Sequence, residues 1–102
     1  MSPTTDLADT ASAPPAAWPS LLLGHVGTTA VKVLRMDGRA LPDERHACTE
    51  LLLVLDGRLE LAVEDTEVTV LPGRMFEVAA NVRHAVRPGS RGTLVVVEVF
   101  GG

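Results

Sequence analysis

Apolar and polar residues alternate along most of the chain after residue 20. Leu59, Leu61 and Val63 share one parity, while Arg58, Glu60 and Glu64 take the other. Val68 and Val70 alternate in the same way with Glu67 and Thr69. A period of two puts one face of an extended chain on a core and the other in water. Short runs of this kind, rich in Val and Leu, predict strands over 21–26, 29–36, 50–55, 58–64, 67–71, 75–79, 82–87 and 93–99. Asp56-Gly57 lies between two of them and predicts a hairpin turn, and Pro72-Gly73 and Pro88-Gly89 mark two further breaks. No segment beyond residue 20 keeps a helical period for three turns. The pattern therefore predicts an all-β sandwich or barrel. The runs "LLLVLDG" and "TLVVVEVF" are apolar on both parities. Such strands fit burial on two faces, one toward a lumen and one toward a second sheet or a partner subunit. With the exposed edges of short strands to be covered, they carry the expectation of a homodimer.

Residues 1–20, "MSPTTDLADTASAPPAAWPS", break the pattern. They are rich in Pro, Ala, Ser and Thr, and Pro14, Pro15 and Pro19 block regular pairing. The chain thus divides into a flexible tail, 1–20, and a β-barrel domain, 21–102. Trp18 is the exception in the tail, because the area of an indole favours docking on the domain.

Composition narrows the chemistry. With 102 residues, 46% of them hydrophobic, the chain makes one small domain with a packed core. Trp18, Phe76 and Phe100 are its only aromatic residues of the Phe, Trp and Tyr type, and there is no Tyr. The core is aliphatic, and mechanisms that need a tyrosine hydroxyl are excluded. Net charge is −4, and the Arg residues and single Lys are scattered, so no basic stripe suits nucleic acid. No apolar stretch is long enough for a membrane helix, and no basic-then-apolar leader opens the chain. The lone Cys48 cannot form an internal disulfide, and a cytoplasmic location is expected.

The stretch "GRALPDERHACTELLLVLDG", residues 38–57, carries the candidate chemistry. Glu44, His46, Cys48 and Glu50 fall at every second position. In one extended strand they would line a single face. Burying an unpaired carboxylate there costs several kcal/mol, which a metal ion or exposure at an open mouth offsets. Imidazole and carboxylate together suit iron, manganese, nickel or zinc.

The stretch resembles the first motif of the cupin superfamily: Gly, five residues, His, one residue, His, three or four residues, Glu, six residues, Gly. Here Gly38, Glu44, His46, Glu50 and Gly57 reproduce every spacing, with Glu44 in place of the first His. The second motif resembles "GRMFEVAANVRHAVRP": Gly73 opens it and His84 takes the position of the last metal ligand. Ala79, Asn81 and Pro88 replace the family's Pro, Gly and Asn, and Asn81 is a reasonable stand-in because Asn tolerates left-handed backbone. The resemblance covers roughly residues 20–100. It implies a small double-stranded β-helix, or jelly-roll, barrel. It also implies a divalent transition metal in the lumen held by His46, Glu50 and His84, with Glu44 as a fourth ligand or as the catalytic base.

Beside these stand plainer readings. The same residues could be hydrogen-bonded polar groups of a metal-free barrel, with Glu44 a solvated acid beside Arg45. Cys48 reads as a small apolar residue near a turn, His25 as a surface or edge residue, and Arg74 and Arg83 as solvent-facing. The resemblance implies a metal-dependent enzyme of dioxygenase, isomerase or lyase type acting on a small molecule. Lyases that rely on catalytic tyrosines, such as the dimethylsulfoniopropionate lyases, fit poorly. The alternative is a non-enzymatic module that binds or senses a small ligand.

Overall fold

The computed structural model describes residues 4–100; residues 1–3 of the expected tail and 101–102 of the expected barrel domain lie outside the described residues. One short helix, α1 (Leu7–Ser12), precedes eight strands: β1 (Leu21–Val26), β2 (Thr29–Asp37), β3 (Leu41–Glu44), β4 (Glu50–Val63), β5 (Thr66–Val70), β6 (Met75–Val78), β7 (His84–Val86) and β8 (Arg91–Val99). The fold is all-β, as the alternation predicts. Every pairing is antiparallel, along the path β1-β2-β8-β4-β7-β3, with β5 and β6 also paired to β4. The 14-residue β4 belongs to both layers. Its first half pairs with β6 and β8, its second half with β5 and β7.

The structure corrects the sequence reading at Asp56-Gly57. The strands expected at 50–55 and 58–64 are one strand, and the pair forms no hairpin turn. A register shift between Val54 and Asp56 marks a bulge against β8. Gly57 has φ 76° and Gly92, its partner in register, φ 99°. The Asp56 carboxylate accepts the Thr93 backbone N–H at 2.9 Å. Left-handed backbone beside a short carboxylate is what an Asp-Gly turn needs, and a bulge needs the same. β3 was not expected at all, since Pro42, Asp43 and Glu44 give it no alternation, and it exists through its pairing with β7.

Parity along β2, β4 and β8 sorts side chains onto two cores. Met36, Leu52, Val54, Leu59, Leu61, Leu94 and Val96 fill the inside of the barrel. Burial of each such side chain contributes about 1.5–3 kcal/mol. Val33 and Val95 face outward and pack with Ala11, while Leu7, Val31, Leu53 and Val97 flank them. The segment expected to be a flexible tail thus supplies α1, which covers the outer face of the sheet. Asp6 caps α1 by accepting the Asp9 N–H at 2.9 Å. A six-residue helix is too short to show a period in sequence, and it draws its stability from packing. Arg35 then holds the chain that follows, its guanidinium donating to the carbonyls of Ala11, Ser12 and Pro14 at 3.3, 3.3 and 3.0 Å. The outward parity of "LLLVLDG" is therefore covered in part by the chain's own helix. No helix among the described residues is long and apolar enough to cross a membrane.

Candidate metal centre

Two distant pieces of chain converge at one end of the barrel. Glu44 ends β3 and stands in register with His84, which begins β7. His46 sits in the loop between β3 and β4. That loop is tied to the loop before β7 by the Asn81 N–H donating to the His46 carbonyl at 2.7 Å and by the Ala80 N–H donating to Thr49 Oγ1 at 3.2 Å. Asn81 adopts φ 65°, the left-handed backbone anticipated for it at the family's Gly position.

The result is a compact group: ligand atoms of Glu44, His46 and His84 lie within 4.8 Å of one another. His46 Nε2 is 3.1 Å from Glu44 Oε2, and the two imidazole rings are 5.4 Å apart. Glu50 stands outside this group but against it, with Oε1 3.2 Å from His84 Nε2. Both residues of that pair are buried. One strand running through Glu44, His46, Cys48 and Glu50 does not produce this arrangement. β3 stops at Glu44 and β4 starts at Glu50, so the intervening loop, not parity, aims His46. Cys48 is half-buried in that loop and is not in the group. His25 packs edge-on against Phe100 in β1, an edge strand. Arg74 and Arg83 are exposed.

The donor chemistry fits a divalent cation. His84 Nδ1 lies 3.1 Å from the Val82 carbonyl, which fixes Nδ1–H as donor and turns the Nε2 lone pair inward. A lone pair facing a carboxylate oxygen at 3.2 Å needs a proton or a cation to hold it. Burial pushes the Glu50 carboxyl above its usual range, while the charges of His46 and His84 pull it back and those of Glu98 and Glu44 raise it.

That balance gives one expected outcome. Because the folded-state value is raised, ionised Glu50 destabilises the metal-free fold at neutral pH, and this penalty vanishes below the usual glutamate value. Glu50→Gln keeps a hydrogen bond to His84 without the charge. It is expected to raise the neutral-pH Tm of the metal-free protein by about 4–8 °C, on the order of 1 kcal/mol, with the gain shrinking in acid. Scanning calorimetry at neutral and acidic pH measures this, and a lowered Tm at neutral pH would contradict it.

Behind the group lies a cavity of about 200 Å³. Its polar end carries Glu44, His46, Glu50, His84 and Glu98, and its walls are aliphatic, among them Leu34, Leu52, Leu59 and Val96. Two features here escape a motif-based reading. Glu98 faces the cavity, paired with Lys32 at 3.4 Å. Its parity with Leu94 and Val96 is the signal that would have found it. Trp18 also lines the cavity. Its backbone N–H donates to the Arg35 carbonyl at 2.8 Å and its indole Nε1–H to Asp37 Oδ1 at 2.7 Å, a bond that holds the Asp37 carboxyl below its usual range. Trp18 has φ 83°, a conformation that costs a bulky residue about 1–3 kcal/mol.

No curated protein matches the sequence of this chain. Solved structures match its fold. A cupin-2 domain protein from Shewanella frigidimarina aligns with TM-score 0.84 at 20% identity, over 93% of each chain. A cupin superfamily protein from Desulfitobacterium hafniense aligns with TM-score 0.76 at 20% identity, over 91% of this chain and 86% of that one. The DMSP lyase DddQ of Ruegeria pomeroyi aligns with TM-score 0.70 at 22% identity, over 81% of this chain and 47% of that one. At these identities the likeness is one of fold. The family model for the cupin domain matches residues 32–100. A match of that extent, from β2 through β8, makes this chain a member of the cupin family.

Proposed function

We propose that this chain is a small metal-binding cupin that holds one divalent transition metal, iron, manganese, nickel or zinc, and presents it to a small molecule in the barrel cavity. The observation that carries the reading is the convergence of Glu44 and His46 with His84, from two distant stretches of chain, at the polar end of an otherwise aliphatic cavity. Glu50 completes the set through its contact with His84. A metal bound there supplies Lewis acidity to a ligand group that reaches it. The chain's own residues do the rest. The Val82 carbonyl fixes the His84 tautomer, aliphatic side chains line the rest of the cavity, and Glu44, half-exposed at the mouth, would help hold the ion. On this reading the chain turns over a small molecule in an isomerase, lyase or dioxygenase type of reaction and works as a cytoplasmic homodimer.

One observation favours a second reading. The Glu50 carboxylate and the His84 imidazole pair directly at 3.2 Å, so these buried polar groups have a protein partner without a metal. On that reading the chain is a non-enzymatic module that binds a small ligand.

Ligand substitution separates the two. Glu44→Ala is expected to weaken zinc or nickel binding about 10–100-fold, and Glu44→His to restore or exceed wild-type affinity. Competition with a chromophoric chelator measures both. Wild-type affinity in the alanine variant removes Glu44 from the site, and absence of binding in all three proteins favours the second reading.

A further inference from the structure

The family match begins at residue 32, yet one wall of the cavity comes from ahead of it. That wall is Trp18, the single tryptophan of the chain. Covering an aliphatic core does not require a tryptophan held in left-handed backbone. Here that conformation is enforced from three sides. The Arg35 carbonyl takes the backbone N–H, Asp37 takes the indole N–H, and the Arg35 guanidinium grips the carbonyls of Ala11, Ser12 and Pro14 just upstream. Asp37 is itself fixed by Arg39, whose Nε lies 2.8 Å from Oδ2. With its N–H bonded to Asp37, the indole has no polar group left to offer a ligand. What it offers is a ring surface.

We propose that Trp18 is the specificity-determining wall of this cavity, and that the cavity takes a small molecule with a flat, uncharged ring lying against the indole. Size follows from the volume of about 200 Å³. Lack of charge on the ring follows from the apolar residues that line the same cavity as Trp18, among them Leu34, Leu41, Pro42 and Leu94. Flatness follows from the indole, since aromatic pairs gain from offset or edge-on contact beyond the area they bury. Three carboxylates, Glu44, Glu50 and Glu98, stand at the polar end, which disfavours an anionic substituent unless a metal receives it. Only this last point rests on the metal centre proposed above.

Phenol and cyclohexanol test the proposal, because they share ring size and hydroxyl and differ in flatness. Equilibrium dialysis of the full chain, zinc-free and then with zinc, gives their affinities. The single indole N–H resonance reports contact in the wild type. Phenol is expected to bind about fivefold tighter than cyclohexanol and to shift that resonance. Trp18→Phe should keep the preference. Trp18→Leu, which keeps an apolar side chain there without a ring, should bring the ratio of the two affinities to about one. Equal affinities in wild type, an unmoved indole resonance, no binding of either probe, or a preference that survives Trp18→Leu overturns the proposal. Failure of zinc to bind overturns the metal reading instead and leaves the zinc-free preference to decide this one.

Discussion

His84→Ala is expected to lower affinity for a divalent transition metal by about 100-fold or more, to the point where none co-purifies. His84 is the one residue that touches both parts of the site: it belongs to the compact group with Glu44 and His46, and it contacts Glu50. Its ring is buried and its tautomer is set by the Val82 carbonyl, so no neighbouring side chain can replace the lost nitrogen. The substitution also leaves the Glu50 carboxylate buried without its partner, at a stability cost of about 1–3 kcal/mol. The two effects separate in the double variant Glu50→Gln/His84→Ala. Stability should recover there and metal affinity should not. A His84→Ala protein that binds zinc or nickel as tightly as wild type in isothermal titration would remove His84 from the centre.

Gly57→Ala is expected to damage the fold severely. Gly57 sits at the bulge that lets β4 pass from one layer to the other, at φ 76°, and an added Cβ would fall well inside contact distance of the Arg91 carbonyl. That obstacle is backbone, paired in register to β4, and it cannot swing aside. The cost should reach about 3 kcal/mol or more, a fall in Tm of about 15 °C. Gly73→Ala is the control. Gly73 has a similar φ of 80° but open space around it, so its substitution should cost only about 1 kcal/mol. Equal melting temperatures for the two variants would show that φ alone, and not the close approach of β8, governs the bulge.

The same residues show how far sequence carries. Strand positions were legible because parity is local: Leu59, Leu61 and Val63 needed no partner to declare a face. The Asp56-Gly57 pair was legible as a special backbone and illegible as to which kind, since a hairpin and a bulge ask for the same dihedrals. Pairing with β8 decides between them, and that partner lies more than 30 residues away. The spacing of Glu44, His46 and Glu50 and the position of His84 single out residues that the structure brings together at one end of the barrel. A shared strand face is not what brings them together, because a loop held by Asn81 aims His46. Trp18 was expected to dock, but its place on the cavity wall depends on Asp37 and Arg35, contacts between tail and barrel that no local pattern encodes. Likewise β3 exists only because β7 pairs with it.

Metal content is the most direct test of the proposed centre. Elemental analysis of the purified wild-type chain, repeated after loading with iron, manganese, nickel and zinc in turn and removal of excess, counts bound ions per chain. The expected result is about one equivalent of one of these metals. Less than about a tenth of an equivalent of every one, in protein shown to be folded, would contradict the reading of Glu44, His46, Glu50 and His84 as a metal site.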